Sequence, residues 1–226
     1  MLVHVLLYYK QFFNKINLNK TNTSKIICID GVVGVGKSSL AEILADKYGY
    51  KLYEEPVINN PILDKFYYDK KRWSFPLQIF FLNKRFQSIK EAEAYQNCIM
   101  DRSIYGDIIF SRMLAEDGDL TMEEFEIYEE LLGNMLEHLK TPKLTIYLES
   151  NVENAISKIK KRGREYEKIV EYSYWEHLNK HYKEYFDSYN ISDVLVINVD
   201  NIDFVNNLED RAKILEIIDN KLNETK

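Results

Sequence analysis

The chain has 226 residues, 46% hydrophobic and 29% charged, with a net charge of -6 and a pI near 5.4. That length gives one domain with short additions, and the composition supplies enough apolar side chain for a sizeable core. The acidic balance speaks against a nucleic acid polymer as partner, because that binding needs a basic surface to displace counterions; a small anion needs only a local positive pocket.

The apolar run Met1 to Tyr9 is far short of the roughly 20 residues that span a bilayer, so no membrane association is expected. It has no positive leading region and no small-residue cleavage pattern. Residues 1–24 contain lysines but no acid and no arginine, and read as a poorly ordered N-terminal extension or an over-long start, with the working domain at 25–226. Cys28 and Cys98 sit inside apolar runs and read as buried thiols of a reducing, cytoplasmic setting.

From there strand-like and helix-like segments alternate. Strands are expected at Ile26–Asp30, Lys51–Glu54, Asn97–Asp101, Leu144–Glu149 and Val194–Val199. Helices are expected at Ser38–Tyr48, Phe75–Ala94, Thr121–Leu139, Val152–Lys161, Tyr172–Tyr189 and Phe204–Leu222. Thr121 with Glu124 three residues on forms a capping-box signature. Strands separated by helices imply an α/β, doubly wound architecture: a five-stranded parallel sheet flanked by helices, with ligands beyond the carboxyl ends of the strands.

The first strand runs into Gly31-Val-Val-Gly34-Val35-Gly36-Lys37-Ser38-Ser39, and a helix follows. This is the P-loop pattern in the context it requires. Its backbone N–H groups and the helix N-terminus cradle phosphates, Lys37 reaches the β- and γ-phosphates, and Ser38 ligates magnesium. No Asn-Lys-x-Asp guanine motif follows, which disfavours a signalling GTPase. The motif by itself therefore implies a nucleoside triphosphate with Mg2+ and leaves the base of that nucleotide open. Glu55, extended before Pro56 at the second strand's end, is either a base facing the loop or a solvated loop acid. Asp101 and Arg102 end the third strand, as a magnesium-positioning acid and a phosphoryl-stabilising base, or as a surface ion pair. Lys158, Arg162 and Arg164, around the helix stop at Gly163, form a basic lid over phosphates or a solvated helix end.

Together, Trp73-Ser74-Phe75-x-x-Gln78, Glu55-Pro56, Asp101-Arg102-Ser103-Ile104-Tyr105 and Arg162-Gly163-Arg164-Glu165 resemble the deoxyribonucleoside kinases, from Ile26 to about Tyr189. The resemblance implies a P-loop NTPase-type fold, a homodimer, and transfer of phosphate from ATP to the 5′-hydroxyl of a deoxynucleoside in salvage. It implies Glu55 as general base, Gln78 on the base edge, Arg85 paired with Asp107 beside the base, and Phe110 stacked on it. Tyr67, with Tyr68 beside it, and Glu167 would hold the sugar 3′-hydroxyl, and Trp73 would wall the sugar. Arg102, Arg162 and Arg164 would stabilise the transferring phosphoryl. The charged pair Arg85–Asp107 implies deoxyadenosine, deoxyguanosine or deoxycytidine over thymidine, with purines preferred. The alternative is a nucleoside monophosphate kinase of the thymidylate type, which has no need of Glu55 as base. His177 and His181, four apart, have no third ligand placed beside them by the sequence and read as a packing or surface pair.

Overall fold

The computed structural model describes residues 2–16, 23–57, 60–95 and 97–224. Five strands, β1 (Ile26–Gly31), β2 (Lys51–Tyr53), β3 (Cys98–Asp101), β4 (Leu144–Glu149) and β5 (Val194–Asn198), form one sheet in the order β2-β3-β1-β4-β5. Every pairing is parallel. β1 lies in the middle and is buried along its whole length, as its unbroken run Ile26-Ile27-Cys28-Ile29 demands of a strand covered on both faces. Cys28 and Cys98 are both free and fully buried.

The helices are α1 (Leu2–Lys15), α2 (Lys37–Tyr48), α3 (Leu63–Tyr68), α4 (Lys70–Ala94), α5 (Asp107–Glu116), α6 (Met122–Leu136), α7 (Val152–Arg162), α8 (Tyr172–Asp187) and α9 (Leu208–Glu224). The capping box at the start of α6 is formed: Thr121 Oγ1 accepts from Glu124 N, and Thr121 N donates to the Glu124 carboxylate. α4 begins five residues before the expected Phe75, where the Asp69 side chain accepts from Arg72 N, and it carries Pro76 inside its second turn.

The N-terminal expectation is corrected. Leu2–Lys15 is a helix, and Val5, Tyr9, Phe12 and Phe13 on it are buried against α8. Tyr9 packs edge-on to Tyr185, and Phe13 lies against Tyr185 and Tyr189. The aromatic side chains of α8 give this helix an apolar surface to cover, and burial of that size outweighs the cost of ordering one more helix. Met1 and residues 17–22 of the expected extension lie outside the described residues.

Candidate active site

One cavity of about 630 Å³ opens at the carboxyl ends of the strands. The P-loop forms its floor, with Gly34, Gly36, Lys37, Ser38 and Ser39 on the wall. Gly34 has φ +85°, and a Cβ there would lie 2.6 Å from the Ala155 carbonyl oxygen, so both the backbone and the space demand glycine. Gly31 and Val35 are buried within the loop rather than on the wall. Lys37 Nζ donates to the Val32 carbonyl at 3.0 Å, tucked back into the loop. Burial, then the Arg102 charge, pushes its ammonium down to about 8.

Ser38 Oγ donates to Asp101 Oδ2 at 2.5 Å, while Asp101 Oδ1 is buried with no hydrogen-bond partner. Asp101 stands behind Ser38, off the cavity wall. A serine hydroxyl and an orphaned carboxylate oxygen are hard donors and fit a hard divalent cation.

Glu55 lies on the cavity wall with the P-loop. Its Oε1 meets Arg85 Nη2 at 2.9 Å and Arg102 Nε at 2.8 Å. Burial alone would raise this carboxyl; Arg102, Arg85 and Lys37 reverse that and hold it at about 2. Arg102 itself is buried, donates to the Tyr182 hydroxyl, and lies 5.2 Å from the Phe110 ring centre. Its φ of +70° is unusual for a non-glycine residue; its N–H donates to Ile29 O at 2.8 Å, which anchors the turn to the end of β1.

Gln78, Phe81 and Arg85 come from one side of α4, and Asp107 and Phe110 from the first turn of α5; all five face the cavity. Arg85 Nη1 meets Asp107 Oδ1 at 2.5 Å, which brings together the charged pair expected from the sequence. Burial raises the Asp107 carboxyl, against the pull of Arg85 and Arg102. Tyr67 lines the cavity, stacked on Tyr166 with ring centres 5.2 Å apart, whereas Tyr68 is 68% exposed and off the wall. Burial, then the Glu167 charge, pushes the Tyr67 hydroxyl up. Trp73 is not on the wall: its ring packs against the core with Lys65 and Arg72 over it, 5.0 and 4.7 Å away.

The basic segment closes the cavity's rim. Gly163 ends α7 in the left-handed region, and the chain turns so that Arg162 and Arg164 both reach Glu167 Oε1, at 2.6 and 3.5 Å. Glu167 is buried and its Oε2 has no partner. Lys158 lines the cavity and donates to Val35 O at 3.4 Å.

Two contributions escaped the sequence reading. Residues 199–206, between β5 and α9, line the cavity from Val199 to Asn206. Their Asn- and Asp-rich composition marks only a loop. Asp30, at the end of β1, is buried 3.8 Å from Arg102, and its Oδ1 accepts from Gly31 N. An acid closing an otherwise apolar strand immediately before the P-loop was the available signal.

The deoxynucleoside kinase family model matches residues 27–223. A deoxyguanosine kinase of Lactobacillus acidophilus is 41% identical over 208 residues, 88% of this chain and 91% of that one. A deoxyadenosine kinase of the same organism is 38% identical over 209 residues, 88% of this chain and 97% of that one. Among solved structures, deoxyadenosine kinase from M. mycoides with bound dATP superposes with a TM-score of 0.78 at 34% identity, covering 88% of this chain and 99% of that one.

Proposed function

The chain belongs to the deoxynucleoside kinase family, and on that premise we propose how its cleft is divided and which base it takes. It has a P-loop NTPase-like fold and phosphorylates a deoxynucleoside with an ATP-type nucleotide. Our reading is that the 5′-hydroxyl lies between Glu55 and the γ-phosphate held at Lys37. The observation that carries it is that Glu55, Gln78, Arg102 and Lys37 line one continuous cavity.

Glu55 orients the hydroxyl and accepts its proton. With Oε1 engaged by both arginines, Oε2 is the oxygen left for the substrate. A carboxylate near 2 is a weak base, so the proton moves late, as the hydroxyl becomes acidic on bonding to phosphorus, in keeping with a loose phosphoryl-transfer transition state. Gln78 offers one donor and one acceptor to the base edge, Phe110 a stacking face, and Tyr67 and Glu167 bind the 3′-hydroxyl. Arg102, Arg162 and Arg164 stabilise the phosphoryl as it transfers. Ser38 and Asp101 would hold magnesium, which would supply positive charge to offset that of the transferring phosphates. The segment 199–206 receives the donor nucleotide beside the P-loop.

The buried Arg85–Asp107 pair supports a base other than thymine, because the two charged groups fill the space that the thymine methyl would need. We read the preference as deoxyadenosine or deoxyguanosine, with deoxycytidine next. The reading extends to a cytoplasmic homodimer in nucleotide salvage. It is supported by the family, by exposed Met122 and Ile127 on α6, and by no described helix being long and apolar enough to cross a membrane. The net charge of -6 supports a small-molecule substrate rather than a nucleic acid polymer. A steady-state screen of the four deoxynucleosides and their monophosphates with ATP–magnesium tests this. Purine deoxynucleosides should give the highest kcat/KM; thymidine in first place would overturn the base assignment, and faster turnover of monophosphates would overturn the role of Glu55.

A further inference from the structure

At the far end of α5 from Asp107, Glu116 meets the histidine pair that the sequence left without a third ligand. Glu116 Oε2 lies 3.3 Å from His181 Nε2 and 3.6 Å from His177 Nε2, and the two Nε2 atoms are 3.0 Å apart. The histidines are four residues apart on α8, so both rings leave the helix on the same side. This is the one such cluster of potential metal ligands among the described residues.

We propose that Glu116, His177 and His181 bind a borderline transition-metal ion of the zinc class, separate from the phosphate-site magnesium. An ion 2.0–2.1 Å from each of three tetrahedral donors separates them by about 3.3 Å, and the three observed separations bracket that value. Two imidazoles and one carboxylate suit Zn2+, Co2+ or Ni2+ rather than the oxygen-seeking Mg2+ or Ca2+.

The surroundings are those of a built site. His177 Nδ1 lies 2.9 Å from Asp117 Oδ1, and His181 Nδ1 lies 2.9 Å from the Tyr9 hydroxyl. The Asp117 carboxylate holds the His177 proton on Nδ1 and so leaves its Nε2 lone pair for the shared point; the Tyr9 hydroxyl, which can accept as well as donate, fits the same tautomer in His181. Arg112 Nε holds the other oxygen of Glu116 at 2.8 Å, leaving Oε2 for the ion. His181 is fully buried, while His177 and Glu116 keep side-chain exposures of 26% and 22%, which gives the ion a way in and leaves a fourth position for water. Bound there, the ion clamps α5 to α8. α5 carries Asp107 and Phe110, and α8 carries Tyr182, which holds Arg102.

The test uses the full chain, stripped with chelator and free of nucleotide, titrated with Zn2+ and separately with Co2+. One equivalent should bind, Co2+ should develop the visible bands of a four-coordinate nitrogen and oxygen site, and saturating Zn2+ should raise Tm by about 5–10 °C. His177→Ala and Glu116→Gln should each weaken binding by about tenfold or more, with metal-free kinase activity unchanged in His177→Ala. Those two ligands are partly exposed, so their replacement spares the core; Asp117→Asn, which keeps all three ligands, should weaken binding as well. Absence of stoichiometric binding overturns the proposal, and so does equal binding by wild type and His177→Ala, which would assign the ion to the phosphate site.

Discussion

Arg85 and Asp107 form a buried ion pair 2.5 Å long, and the second terminal nitrogen of the same guanidinium reaches Glu55 at 2.9 Å. One cation thus holds two carboxylates from two different parts of the chain. Arg85→Met strands the Asp107 carboxylate in a site where it is 3% exposed, at a cost of about 3–5 kcal/mol. Adding Asp107→Leu removes the stranded charge and should recover much of that loss. Urea unfolding of wild type, single and double variants checks this; a double variant no more stable than Arg85→Met refutes the argument.

Glu55→Gln keeps the shape of the side chain and removes its basicity. Turnover should fall by roughly 10²–10⁴-fold with deoxynucleoside affinity nearly intact. Single-turnover rates and equilibrium binding separate the two quantities, and wild-type turnover would remove Glu55 from the chemistry.

The same residue gives a pH signature in stability. Its folded-state value, about 2, lies below the ordinary 4.5, so its contribution is complete above about 4.5 and is lost as pH falls through about 2. The stability gap between wild type and Glu55→Gln should therefore shrink across that window. A gap independent of pH from 6 to about 2 would show that the arginines do not hold this carboxylate.

Burial and the facing Arg102 charge push the Lys37 ammonium down to about 8. A triphosphate beside the ammonium favours its charged form, so nucleotide binding at pH 8 should take up as much as roughly half a proton. Calorimetry in buffers of differing ionisation heat measures this, and Lys37→Arg should abolish the uptake.

Asp101→Asn removes charge behind Ser38 while keeping a partner for its hydroxyl. The magnesium concentration for half-maximal rate should rise by about 10–100-fold, with the rate at saturating magnesium less affected. A magnesium titration of initial rates checks it; an unchanged midpoint would remove Asp101 from metal positioning.

The parts legible in the sequence were those with strong local signals. β1 and the P-loop declare themselves through an apolar run followed by glycines, and Gly163 marks the end of α7. Arg85 and Asp107 needed the family pattern to be paired, since they stand 22 residues apart on different helices. α3 is only six residues long, too short for periodicity to register. α5 is buried on most of its circumference, so its apolar residues do not form the one-sided stripe by which a surface helix is recognised. α1 has no acid at its start and gains its stability from α8, a partner more than 150 residues away in the chain. Glu116 could not be matched to His177 and His181 for the same reason: the pairing is made by the packing of α5 on α8.

The two native thiols, one on the central strand and one on its neighbour, are sealed from solvent. Cysteines introduced at exposed positions would therefore be the groups that a maleimide dye reaches, and Glu165 offers one on the basic segment, 79% exposed and outside the phosphoryl-transfer machinery. Paired with a second cysteine at exposed Tyr68, it turns the rim of the cleft into a ruler, and any displacement of the basic segment during turnover becomes a distance that fluorescence can follow.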